Sequence, residues 1–160
     1  MAIDHDILIS GGGVAGLTAA ALFGTAGFSV LLCDPTPPVT SGDDEAADLR
    51  TTALLQPARE LLEESGLWSR LAPHAAPLQV MRIVDAGGEI AEPRVSREFD
   101  ASEITSGPFG WNLPNWLLRR EMVARLSELD TVTFRPGIAT TTLLTREREA
   151  IVGLDDGTRV

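Results

Sequence analysis

Short apolar runs alternate with glycine-, proline- and acid-rich breaks along this chain, and the clearest pattern comes first. Ile7, Leu8 and Ile9 form an unbroken apolar run, the mark of a short strand buried on both faces. Gly11, Gly13 and Gly16 punctuate the next segment, an alanine-rich stretch that reads as a helix until Gly27 breaks it. Phe28 to Cys33 is a second apolar run, closed by Asp34. Strand, glycine turn, helix and strand in that order predict a parallel βαβ unit.

The rest is less regular. Pro35 to Asp48 is dense in Pro, Gly, Ser and acids and predicts a surface loop. Pro57 suits the first position of a helix that Gly66 ends, with Leu61, Leu62 and Leu67 as its apolar face. From Pro77 the pattern predicts two strands around a Gly87-Gly88 turn, the second weakened by Pro93. From Arg97 the chain then reads as polar and irregular until Phe109. Asn115 to Leu129 places Leu118, Met122, Leu126 and Leu129 at helical spacing. Three short strands come next, the last bent at Asp156-Gly157. This divides the chain into the first part of a domain that opens with the βαβ unit (1–76), a β-rich excursion (77–113) and a return to the first domain as a helix plus β meander (114–160). Because Val160 comes directly after a turn, the expectation is an N-terminal fragment of a longer protein, one that alone binds its cofactor weakly or not at all and does not turn over.

The glycines carry the chemistry. In a G-x-G-x-x-G set between a strand and a helix, Gly11 turns the chain sharply, Gly13 lets backbone approach a pyrophosphate, and Gly16 brings helix against sheet. Val14 and Ala15 lie in the first helical turn, whose free N–H groups and positive dipole end favour phosphate. Asp34 stands near the spacing of about 20 residues at which an acid receives a ribose hydroxyl. The bland alternative is a βαβ unit whose glycines serve packing alone. The strand, the helix and the terminal acid together favour a dinucleotide site.

Composition narrows the partners. The net charge of −10 argues against nucleic acid. All thirteen basic residues are Arg; without Lys there is no Schiff-base or Walker-type lysine, and without Tyr no phenolic acid. The single Cys33, within a predicted strand, permits neither an intrachain disulfide nor a C-x-x-C pair and fits a reducing compartment. The run Asp43-Asp44-Glu45 lacks the spacing of a metal loop, and neither His5 nor His74 has a catalytic partner, so no metal site and no catalytic side chain are assigned. No signal peptide or membrane span is expected; the expected location is cytoplasmic, with peripheral membrane contact left open.

DILISGGGVAGLTAA with Asp34 resembles the FAD-binding start of flavoprotein aromatic monooxygenases. The order of LRTTALLQPARELLEESGLW, MRIVDAGG, FGWNLPNWLLRREMVARL and VGLDDGTRV is similar to the ubiquinone-biosynthesis hydroxylase branch. The resemblance implies an α/β protein: a Rossmann-like FAD-binding βαβ domain with an antiparallel β meander and part of an inserted β-rich substrate domain. It implies FAD as cofactor, NAD(P)H as electron donor, and hydroxylation by O₂ of a small aromatic substrate such as a prenylated phenol. It places Arg50 at the FAD pyrophosphate or flavin edge, against a bland reading as a surface salt bridge with Asp48 or a nearby Glu. Arg119 falls where the family contacts the cofactor, although Arg119-Arg120 also suits a solvated helix face. Trp111 and Trp116 read as core more readily than as an aromatic substrate pocket. The acid at position 34 is usually Glu in that family; Asp is one methylene shorter. The rival readings are another FAD-dependent oxidoreductase such as an amine oxidase, and a binding protein resembling GDP-dissociation inhibitors or an inactive remnant on the same fold.

Overall fold

The computed structural model describes residues 4–89 and 92–160. Its centre is a three-stranded parallel sheet of β1 (Ile7–Ser10), β2 (Val30–Asp34) and β8 (Val132–Pro136), in the order β1–β2–β8. The middle strand is apolar at every position but its last because both its faces are covered. Val30 and Leu32 face the helical side, with α1 (Val14–Thr25) and α4 (Asn115–Leu126). Leu31 and Cys33 face Val152 and Leu154 of β10 (Ala150–Leu154), which pairs antiparallel with β9 (Thr140–Thr145). Helices, parallel sheet and antiparallel pair thus form three layers. Of the three strands expected after α4, the last two make the antiparallel pair. The first instead enters the parallel sheet, with Val30 opposite Val132 and Asp34 opposite Pro136. Sequence periodicity does not separate these fates, since a short strand looks alike in either setting.

The two long helices run in the same sense. The Thr18 hydroxyl of α1 meets Met122 Sδ of α4 at 3.9 Å, and Arg125 Nη2 donates to Thr25 Oγ1 at 3.1 Å. Residue 115 therefore lies at the same end of the molecule as residue 14, the carboxyl end of the parallel strands. Leu117, Leu118, Met122 and Leu126 of α4 are buried with Leu17, Ala20 and Ala21 of α1.

A second, antiparallel sheet has the order β3–β7–β4, from Thr51–Leu55, Gly110–Pro114 and Ala76–Leu78. Its strands β4 and β7 tie together the two ends of the 77–113 excursion. Between β3 and β4, α2 (Gln56–Glu64) and α3 (Trp68–Leu71) bury Leu62, Leu67 and Leu71, whereas Leu61, expected inside, is 46% exposed. The excursion itself is a two-stranded ribbon of β5 (Val80–Gly87) and β6 (Glu92–Asp100). Pro93 is accommodated by a register shift at Asp85/Ala86, and residues 90–91 of the expected second strand lie outside the described residues. β6 continues through Arg97, Glu98, Phe99 and Asp100, where the polar sequence suggested irregular chain. Arg82 and Glu98 pair across the ribbon, so charged cross-strand partners supply what an apolar pattern would have announced.

Candidate functional site

At the carboxyl end of the parallel sheet the chain leaves β1 through Gly11, whose φ of +117° is open to glycine and costly for other residues. Its amide N–H donates to the Cys33 carbonyl at 2.8 Å, holding the turn to the end of β2. Gly16 is needed for a different reason: a Cβ there would stand 1.9 Å from the Gly11 carbonyl oxygen, so any side chain forces helix and turn apart. At Gly13 a Cβ would meet nothing within 4 Å, and Gly13 and Ala15 are exposed. The turn thus presents bare backbone to open space.

The start of α1 is unfilled in the electrical sense as well. Gly13 is its N-cap, no side chain caps it, and its first turn holds no acid. The first N–H to bond within the helix is that of Leu17, to the Gly13 carbonyl at 2.9 Å. The N–H groups of Val14, Ala15 and Gly16 point along the axis toward the turn, the arrangement that receives phosphate oxygens. A dinucleotide diphosphate fits this cradle.

Asp34 closes one side. Its Oδ2 accepts from the Gly12 amide at 2.5 Å and its Oδ1 from the Thr36 amide at 2.7 Å. Each oxygen retains an acceptor position, enough for the two hydroxyls of a ribose. Gly12 was not singled out by the G-x-G-x-x-G spacing, yet a Cβ there would come within 3.0 Å of Asp34 Cβ. Only the consecutive glycines at 11, 12 and 13 hinted that this position is crowded.

The loop after Asp34 returns to the same end. Gly42 lies so close to the Trp116 ring that a Cβ would be 2.9 Å from Cε2. Trp116 also packs against the main core, and the Arg120 guanidinium lies 5.2 Å from its ring centroid. Trp111 packs edge-on against Trp68 at 5.1 Å, with Arg59 over both rings. Both tryptophans therefore serve packing.

Arg50 ends the loop and is held by Asp48, with Nε donating to Oδ1 at 2.8 Å and Nη2 to Oδ2 at 2.9 Å. The Asn115 side chain donates to Asp48 Oδ2 at 2.9 Å, and its Oδ1 accepts from the Thr52 hydroxyl at 2.5 Å. The hydrogen bonds from Arg50, and then from Asn115, hold the Asp48 carboxyl far below the usual carboxylate range; Asp48 in turn raises the affinity of Arg50 for its proton. The salt bridge weighed as the bland reading of Arg50 is thus formed. The wider network around it was invisible in sequence, since Asn115 is distant in the chain. Arg119 is half-buried in the first half of α4 and, among the described residues, makes no ion pair; Arg120 pairs with Glu121. Gly11, Gly13, Val14, Ala15, Gly16 and Asp34 come together at one point, with Arg50 at the same end.

No helix among the described residues is long and apolar enough to cross a membrane, and no group of three His, Cys, Asp or Glu among them could hold a metal ion.

Comparison with known proteins agrees with this geometry. The profile of the FAD binding domain family matches residues 4–154. The ubiquinone hydroxylase UbiL of Rhodospirillum rubrum is 31% identical over 97% of this chain and 34% of its own. The ubiquinone hydroxylase UbiM of Neisseria meningitidis is 26% identical over 98% of this chain and 34% of its own. The chain spans about a third of the length of these curated relatives. Among solved structures, the flavin-dependent monooxygenase PieE in complex with FAD and substrate superposes with a TM-score of 0.70 at 25% identity, covering 99% of this chain and 29% of that one.

Proposed function

We propose, from the premise that the chain belongs to the FAD binding domain family, that it holds the ADP half of FAD within a monooxygenase. That enzyme would hydroxylate a small aromatic substrate resembling a ubiquinone precursor, with NAD(P)H and O₂. The observation that carries this reading is the uncapped, acid-free start of α1 set over a turn whose Gly11 and Gly13 face open space. The amides of Val14, Ala15 and Gly16 would bind the diphosphate and Asp34 the adenosine ribose. Arg50 and Arg119 would add positive charge to the same cofactor, since a planar guanidinium matches phosphate oxygens. FAD, when bound, supplies the redox chemistry by accepting hydride from NAD(P)H and activating O₂. The protein binds and orients it, and no side chain here is assigned a step at the reacting atoms. The ubiquinone hydroxylase relatives support an aromatic, prenylated substrate over the amine oxidase alternative.

The test is flavin content. In the full chain, Gly13→Val should remove bound FAD while leaving the circular dichroism spectrum and melting profile intact, because the new side chain points into open space rather than core. A folded variant that stays yellow with unchanged flavin would overturn the assignment.

A further inference from the structure

We propose that Asp48 is a positioning residue whose carboxylate turns one edge of the Arg50 guanidinium outward to receive the cofactor diphosphate, an inference that rests on the FAD reading above. A guanidinium carries five N–H groups and can bind two flat anions, one along each fork edge. Asp48 takes the Nε/Nη2 edge. Both Nη1 hydrogens and the second Nη2 hydrogen are left as a complete second fork, on a side chain that is 84% exposed. Arg50 is therefore not used up by its ion pair. It is clamped with one edge in and one edge out.

The clamp is anchored in a way an incidental surface pair is not. Asp48 has a side chain only 15% exposed. The Arg50 backbone N–H donates to the same carboxylate at 3.2 Å. Asn115 binds both members of the pair: its backbone N–H donates to the Arg50 carbonyl at 2.9 Å and its side-chain amide to Asp48. The Thr52 hydroxyl on Asn115 Oδ1 fixes which way that amide faces. Three residues, Asp48 from the loop, Thr52 from β3 and Asn115 from the start of α4, thus hold one arginine at the end of the molecule where α1 begins. An exposed Arg–Asp pair by itself contributes little to stability, whereas a long flexible side chain immobilised before its ligand arrives loses less entropy on binding.

The experiment compares ligands and a double variant in the full chain. FAD, ADP and adenosine affinities are measured by fluorescence titration and competition for the parent protein, Arg50→Met, Asp48→Asn and the double variant, with thermal melting as a control for folding. Arg50→Met should weaken FAD and ADP by roughly tenfold, the scale of a charge-assisted hydrogen bond. Asp48→Asn should weaken the same two ligands by a smaller factor, leave adenosine unchanged, and add nothing in the Arg50→Met background. Three results overturn the positioning role: tighter or unchanged FAD in Asp48→Asn, an equal loss for adenosine, or a further loss in the double variant. If Arg50→Met itself leaves ADP binding intact, the arginine assignment falls and the positioning role with it. If only Asp48→Asn is silent, the positioning role falls while the FAD reading and Arg50 stand.

Discussion

Strand β2 of the parallel sheet and strand β5 of the ribbon are both rich in apolar residues and end in opposite environments. VLLCD of β2 is buried at its four apolar positions, with relative exposures of 0–1%. VMRIVDAG of β5 leaves Val80, Met81, Ile83 and Val84 between 44% and 54% exposed, and Val95 and Phe99 of β6 are comparably open. The difference lies in what covers them. β2 has helices on one face and β10 on the other, whereas among the described residues no second layer packs on the ribbon. Apolar composition makes a strand; a second layer makes a core. The glycine turn and Asp34 sit on the covered region, where the ends of β1 and β2 are fixed by packing and can aim backbone groups.

The comparison can be broken most directly by cutting side chains in each region. Leu118→Ala, deep between α4 and α1, should cost about 2–5 kcal/mol, while Ile83→Ala on the ribbon should change stability by about 0.5 kcal/mol or less. Urea unfolding midpoints of the two variants measure the contrast, and equal losses would show that the ribbon is covered in solution. A smaller effect sharpens the functional side. Asp34→Ala should weaken FAD by about 1.5–3 kcal/mol, the worth of hydrogen bonds to a charged group, whereas Asp85→Ala in the ribbon should leave FAD titrations unchanged. The smallest expected effect concerns acid. The Asp156 carboxyl is brought down to about 2, first by hydrogen bonds from Thr158 and then by Arg135. Its contribution to stability is therefore complete above the ordinary Asp value near 4 and fades as pH falls toward 2. Asp156→Asn should slightly lower the melting temperature at neutral pH and flatten its decline across that interval. An unchanged acid profile would show that the turn at 156–158 is loose.

The βαβ unit and the FAD binding family were legible in the sequence because their determinants are local. A buried strand needs an apolar run, and a tight turn out of it needs glycine at fixed offsets. The helix from Asn115 was legible for the same reason, as its apolar spacing is set by the 3.6-residue turn. Other features depended on residues far apart in the chain. β8 joins β2 rather than β9 because the helical layer delivers it to that edge, a choice absent from the pattern of VTFRP. Gly12 is crowded only because Asp34 folds back over it. Arg50 could be read from sequence as a cofactor ligand or as a surface ion pair. The tertiary structure forms the ion pair and leaves a second edge of the same side chain free, and the pairing of β7 with β3 is what brings Asn115 to the loop. Backbone geometry over a few residues can be specified by those residues; the orientation of an arginine depends on everything packed around it.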